Sequence, residues 1–153
     1  MLFRSVFGLN DSRNPTISAD GQFVLFESNA LNLAAADSNT TTDVFLHQVS
    51  SGTNQLLSRQ PSGTTGDLKS TAVGLSQDGS IAMFRSDSLT LLPPASGFPT
   101  DLYVYRRASD TVTRVALPGP DAGSGAPLYR TYNPVLSTDG RYLAFREIGR
   151  AHV

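Results

Sequence analysis

The 153 residues carry 12 basic and 13 acidic side chains, a formal net charge of −1 and no cysteine. A nearly neutral chain leaves no electrostatic footprint for nucleic acid or an anionic membrane, no apolar run approaches a membrane span, and without cysteine there are neither disulfides nor zinc–thiolate sites. Acids are 11 Asp against 2 Glu, and Lys occurs once; such scarcity of helix formers beside abundant Ser, Thr and Gly points to an all-β fold.

Taken in order, residues 2–7 are short and β-prone, and 8–13 form a polar linker after them. Residues 1–4 are not followed by an apolar signal-peptide core. Residues 14–28 read NPTISADGQFVLFES, and the unit returns as AVGLSQDGSIAMFRS around Asp78 and NPVLSTDGRYLAFRE around Asp139. Its centre, Ser-x-Asp-Gly, is hairpin chemistry. Gly21, Gly79 and Gly140 are expected at positive φ, where glycine meets no steric cost, and Asp20, Asp78 and Asp139 are expected to bond nearby backbone amides. The strands that follow, 23–26, 81–84 and 142–145, are apolar without alternation, which predicts cover on both faces.

A second element recurs inside the period. Thr42-Asp43-Val44-Phe45-Leu46 is echoed 58 residues on by Thr100-Asp101-Leu102-Tyr103-Val104, each followed by a turn and a strand, placed at 55–59 and 113–117. Asp20 to Asp78 is also 58 residues, and Asp78 to Asp139 is 61. Four short antiparallel strands at a fixed interval predict propeller blades side by side. The expected layout is therefore a partial β-propeller with about two complete blades and strands of two incomplete ones. Residues 1–13 supply an outer strand and linker, 14–59 blade one, 60–71 a crossover, 72–117 blade two, 118–131 a crossover, and 132–146 the first two strands of blade three.

Residues 147–153, Glu-Ile-Gly-Arg-Ala-His-Val, break the repeat. They match the in-frame translation of a sequencing-library adapter, GAGATCGGAAGAGCACACGTC, and are expected to be a non-biological tail on a longer gene. On that expectation His47 is the one native histidine.

These repeated motifs, NPTISADGQFVLFES and TDVFLHQVSSGTNQLLS with their second copies, resemble the WD-like repeat of TolB-type β-propellers. The resemblance covers the chain apart from the last seven residues. It implies about six to eight blades, a periplasmic or extracellular setting, and a role in recognising a protein or small ligand. Blade two departs from the pattern, with Ala72-Val73 in place of Asn-Pro.

Candidate chemistry is sparse. Asp37-Ser38-Asn39 with Asp43 offers oxygen ligands of the kind calcium takes, but no bidentate glutamate closes the loop and blade two offers Ala95-Ser96-Gly97-Phe98-Pro99 instead, so a polar turn is the reading and no metal site is assigned. Asp43 and Asp101 are expected at strand entries, bonding backbone amides. His47 is expected on a partly exposed edge rather than as a catalytic base. Arg85, Arg106 and Arg107 are expected to be solvated or stacked on aromatics, and Phe26, Phe45, Phe84, Tyr103, Tyr105 and Phe145 to form core between blades. No Gly-x-Ser-x-Gly elbow occurs. The sequence thus predicts a non-catalytic binding or scaffold module acting through rim loops, with no catalytic residue, no cofactor and no metal. Its partners would be a protein or small ligand and the remaining blades of the same chain, with no nucleic acid and no membrane insertion. Two alternatives carry different chemistry: a propeller gating a prolyl-oligopeptidase-like serine peptidase, which needs a downstream hydrolase domain, and a propeller lyase on acidic sugars, which needs rim histidines and a metal.

Overall fold

The computed structural model describes residues 10–92, 101–115 and 130–148. Sheet one contains β1 (Ser12–Ile17), β2 (Phe23–Ser28), β3 (Asp43–Gln48) and β4 (Thr53–Leu56), antiparallel and ordered β1-β2-β3-β4. Sheet two repeats that order with β5 (Ser70–Leu75), β6 (Ile81–Ser86), β7 (Asp101–Arg106) and β8 (Thr111–Arg114). The hairpin β9 (Arg130–Leu136) and β10 (Leu143–Ile148) follows. The fold is all-β, with no helix among the described residues, and its sheets are two complete four-stranded blades and the first two strands of a third. The predicted strand at 2–7 lies outside the described residues, as do 149–153; Glu147 and Ile148 close β10 by pairing with Thr131 and Arg130.

Three turns share one set of bonds. The hydroxyls of Ser18, Ser76 and Ser137 donate to Asp20, Asp78 and Asp139 at 2.6, 2.7 and 2.6 Å. Each hydroxyl also accepts an amide at 2.9 Å, from Phe23 and Ile81, which open β2 and β6, and from Tyr142, immediately before β10. The aspartates accept the amides of Gln22, Ser80 and Arg141, as expected. These donors hold all three carboxyls below their ordinary range, the serine hydroxyl contributing most, and bring Asp78 to about 2. Gly21, Gly79 and Gly140 sit at φ 69°, 68° and 70°.

The fourth strands begin two residues earlier than the sequence suggested. Gly52, at φ 68°, and Asp110, at φ 52°, each complete a tight turn, so pairing resumes immediately at Thr53 and Thr111. The first strand of each unit carries a bulge opposite the phenylalanine of the second strand. Asn14 and Asn133 make it at φ 53° and 48°, a conformation asparagine tolerates better than most side chains. In β5, Ala72-Val73 precedes Gly74 and bulges with no residue at positive φ, which accounts for the missing Asn-Pro.

The core lies between sheets. Strand alternation puts Phe23, Leu25, Val44 and Leu46 on one face of sheet one, and Ala82, Phe84, Tyr103 and Tyr105 on the facing side of sheet two; with Leu57 and Leu91 they form one buried cluster. Phe26 stacks on Phe45 at 5.6 Å and Phe84 on Tyr103 at 5.3 Å, each across a strand pair of one sheet. Of the aromatics expected between units, Phe84, Tyr103 and Tyr105 belong to the cluster shared by the two sheets, whereas strand alternation puts Phe26 and Phe45 on the other face of sheet one.

Specific contacts close the seam. The Phe23 ring is held between Gly79, where an added Cβ would come within 2.4 Å of it, and the Arg107 guanidinium, 4.3 Å from its centroid. Gly140 meets Ile81 in the same way at the next seam. At the turns, Ala19 N donates to Gln77 O at 2.8 Å and Gln77 N to Thr138 O at 2.6 Å, linking equivalent positions of three successive units. Glu27, 1% exposed, accepts Asn14 Nδ2 and the backbone amide of Ala72 with Oε1 and Arg13 Nε with Oε2. On the outer side, Asp110 takes Arg59, Gln55 and the Tyr105 hydroxyl.

Candidate functional site

An antiparallel meander sorts its connections by length. The tight turns at 18–22, 49–52, 76–80, 107–110 and 137–141 share one rim, and the longer connections leaving Ser28, Leu56, Ser86 and Arg114 emerge at the other. That second rim carries the chain that lies outside the strand ladders.

Two carboxylates organise the loops there. Asp43, fully buried at the entry of β3, accepts Ser58 Oγ at 2.6 Å and Asn39 Nδ2 at 3.2 Å; the expectation of backbone amides as partners is corrected, because Ser58 instead gives its hydroxyl to Asp43 while accepting Val44 N. Asn39 Nδ2 also reaches Gly66 O at 3.0 Å, tying the β2–β3 connection to the crossover toward sheet two. Asp67, on that crossover, accepts Ser88 Oγ, Thr90 Oγ1 and Leu89 N from the connection after β6. Three successive loops are thereby stapled together.

Their electrostatics differ. Burial pushes the Asp43 carboxyl up to about 7, opposed by the Ser58 bond and assisted by the negative charge of Asp37. Burial also raises Asp37, whose Oδ2 finds no hydrogen-bond partner among the described residues. Asp67 is lowered, chiefly by Ser88. Asp37, Asn39 and Asp43, the sequence's oxygen-ligand candidates, do come together; their contacts are those of a loop clasp, and among the described residues no group of three or more His, Cys, Asp or Glu side chains gathers.

The remaining candidates are spread out. Asp101 pairs with Arg114 at 3.4 Å. His47 is half-buried on β3, an interior strand and not an edge, with Nδ1 2.8 Å from Asn54 Oδ1. Arg107 stacks as expected, Arg106 is exposed, and Arg85 is half-buried with Nε unpartnered among the described residues. Two grooves between the outer halves of the sheets, of about 250 and 220 Å³, fall below the roughly 300–1,000 Å³ of small-molecule sites. No protein-family model and no curated protein matches the chain.

What the sequence did not flag is apolar. Leu31, Leu68 and Leu89 are 42%, 42% and 45% exposed, and all three lie on the stapled loops. Leu31 and Leu89 are 58 residues apart, at equivalent positions, and Leu89 N is bound by Asp67, the neighbour of Leu68. The only available signal was a leucine recurring inside otherwise polar connections.

Proposed function

We propose that this chain is a sector of a β-propeller that acts as a binding or scaffold module, and that it recognises a protein segment on the rim carrying the long connections. The observation behind this reading is the set of exposed leucines, Leu31, Leu68 and Leu89, presented on loops that Asp43, Asn39 and Asp67 hold in place. Exposed apolar side chains give a partner surface to bury, and preordered loops lower the entropy lost on binding. The TolB-like repeat supports the same reading and an envelope or extracellular setting, with further blades completing the ring.

The test is selection of peptides from a random display library, followed by hydrogen-exchange mapping of the best binders. Protection is expected over 29–42, 62–69 and 87–92, and Leu31→Ser with Leu89→Ser should weaken binding at least tenfold. Protection confined to the tight-turn rim would refute the proposal.

A further inference from the structure

We infer that Asp37 and Asp43, with the carbonyl of Gly66 beside them, form a site for a hard divalent cation of the calcium class, which supplies to sheet one the positive charge that sheet two carries in a side chain. The two sheets differ at one equivalent place. Asp101, which opens β7, pairs with Arg114 of β8 at 3.4 Å. Asp43 opens β3 in the same way, but the residue in register with Arg114 is buried Leu56, which stands opposite Phe45 as Arg114 stands opposite Tyr103. Sheet one has instead a second acid, Asp37, where the interval of 58 residues gives Ala95 in the next unit. One sheet thus matches an acid with a base, and the other brings two acids together with none: neither Asp37 nor Asp43 forms an ion pair among the described residues.

Both acids are inside. Asp43 is fully buried and Asp37 is 6% exposed, and a buried carboxylate is costly unless a counter-charge or a full set of hydrogen bonds accompanies it. A polar turn, the reading the sequence favoured, would leave Asp37 in water. Its Oδ1 accepts Asn39 N at a long 3.4 Å, and its buried Oδ2 has no partner among the described residues. Asp43 accepts one bond on each oxygen, from Ser58 Oγ and from Asn39 Nδ2, which leaves each with a further lone pair. Asn39 gathers the parts, its backbone amide on Asp37 and its Nδ2 on both Asp43 Oδ2 and Gly66 O. Asp37 is also near enough for its charge to act on the Asp43 carboxyl. Every donor is an oxygen, with no thiolate or imidazole, which selects a hard cation. Calcium accepts six to eight oxygens in irregular arrangements and fills its remaining places with carbonyls and water, so two carboxylates suffice without a closing glutamate, whereas magnesium demands a near-ideal octahedron. So few protein ligands place the affinity at about 0.1–1 mM, the range of extracellular calcium modules. The site stands independently of what the rim recognises.

Calcium chloride titrated into the full chain tests this, after EDTA treatment and dialysis, at constant ionic strength and about pH 8, where protons compete least for the carboxyls. Calorimetry should show one binding event, and about 10 mM calcium should raise the melting temperature by about 3–10 °C. Hydrogen exchange should slow over 37–43 and 66–67. Asp37→Asn replaces an unsatisfied buried anion by a neutral side chain of the same shape. In EDTA it should melt no lower than the wild type, and in calcium it should lose the rise, with binding weakened at least about tenfold. Asp43→Asn should lose the rise as well. A carboxylate that served only the loop clasp would instead cost the same stability with and without calcium when made an amide. A wild-type chain whose melting and exchange ignore calcium, an Asp37→Asn chain that keeps the rise, or one that melts below the wild type in EDTA would each overturn the inference.

Discussion

Replacing Gly79 by alanine separates the strain of a turn from the packing of a seam. Gly79 and Gly21 have nearly identical φ, 68° and 69°, so an alanine at either pays the same left-handed conformational cost, ~1–2 kcal/mol. Only at Gly79 does the new methyl enter occupied space: its Cβ would lie 2.4 Å from Phe23 Cδ2, and that ring, 7% exposed and covered by Arg107, cannot retreat without opening the core. Overpacking of this kind costs a further ~1–3 kcal/mol. At roughly 2–4 °C per kcal/mol for a chain of this size, the extra loss is about 2–12 °C in melting temperature beyond that of Gly21→Ala. Urea unfolding of the two variants in parallel, at a concentration where the chain is monomeric, gives the difference directly. Equal midpoints would mean that the two glycines face equivalent surroundings and that the seam between the sheets is not packed as described.

Stability should rise as pH falls from 8 toward 5, because the folded carboxyl of Asp43, pushed up to about 7 by burial, binds a proton that the unfolded chain binds only near 3.8. Urea midpoints across that range should show the slope, and Asp43→Asn should remove most of it, leaving the share of Asp37; a wild-type profile that is flat or rises from pH 5 to 7 contradicts the burial. Glu27→Ala strips the acceptor from the Ala72 amide and from Asn14 and Arg13, and should cost ~2–4 kcal/mol in denaturant titration, with Glu27→Gln costing less. A loss under about 0.5 kcal/mol for the alanine would remove Glu27 from the seam. Ser18→Ala and Ser76→Ala should each cost ~1–2 kcal/mol, and Ser137→Ala distinctly less because its turn is open to water, a ranking that calorimetry can check.

Much of the fold could be read because its determinants are local. Ser-x-Asp-Gly dictates a turn by the reach of one hydroxyl and one carboxylate, and three copies of it set the strand order without any tertiary information. The start of β8 was misplaced because a non-glycine residue, Asp110, can close a turn at positive φ when Arg59, Gln55 and Tyr105 hold its side chain, and the first two of those partners are more than 50 residues away in sequence; that of β4 was misplaced because Gly52 closes its turn one residue before pairing resumes. The partners of Asp43 were misjudged for the same reason. Ser58 is 15 residues away and on another strand's exit, so only the folded sheet brings its hydroxyl to the carboxylate. Leu31 and Leu89 recur at the repeat interval, but a leucine in a polar connection does not show its own exposure, and Leu68 has no such counterpart; the course of these loops is set by Asp67 and Asn39, whose partners are distant in sequence.

The glutamate of sheet one that holds an amide of sheet two has a consequence for anyone who would cut and rejoin this protein. Position 27 is chemically committed to a neighbour 45 residues further on, so either of the two four-stranded sheets transplanted alone arrives with that contact severed. The portable cassette is the half-sheet on either side of an interface, carried together. Domain shuffling, in the laboratory or in evolution, should therefore succeed at crossovers through the middle of a sheet more readily than at the connections where the repeat begins.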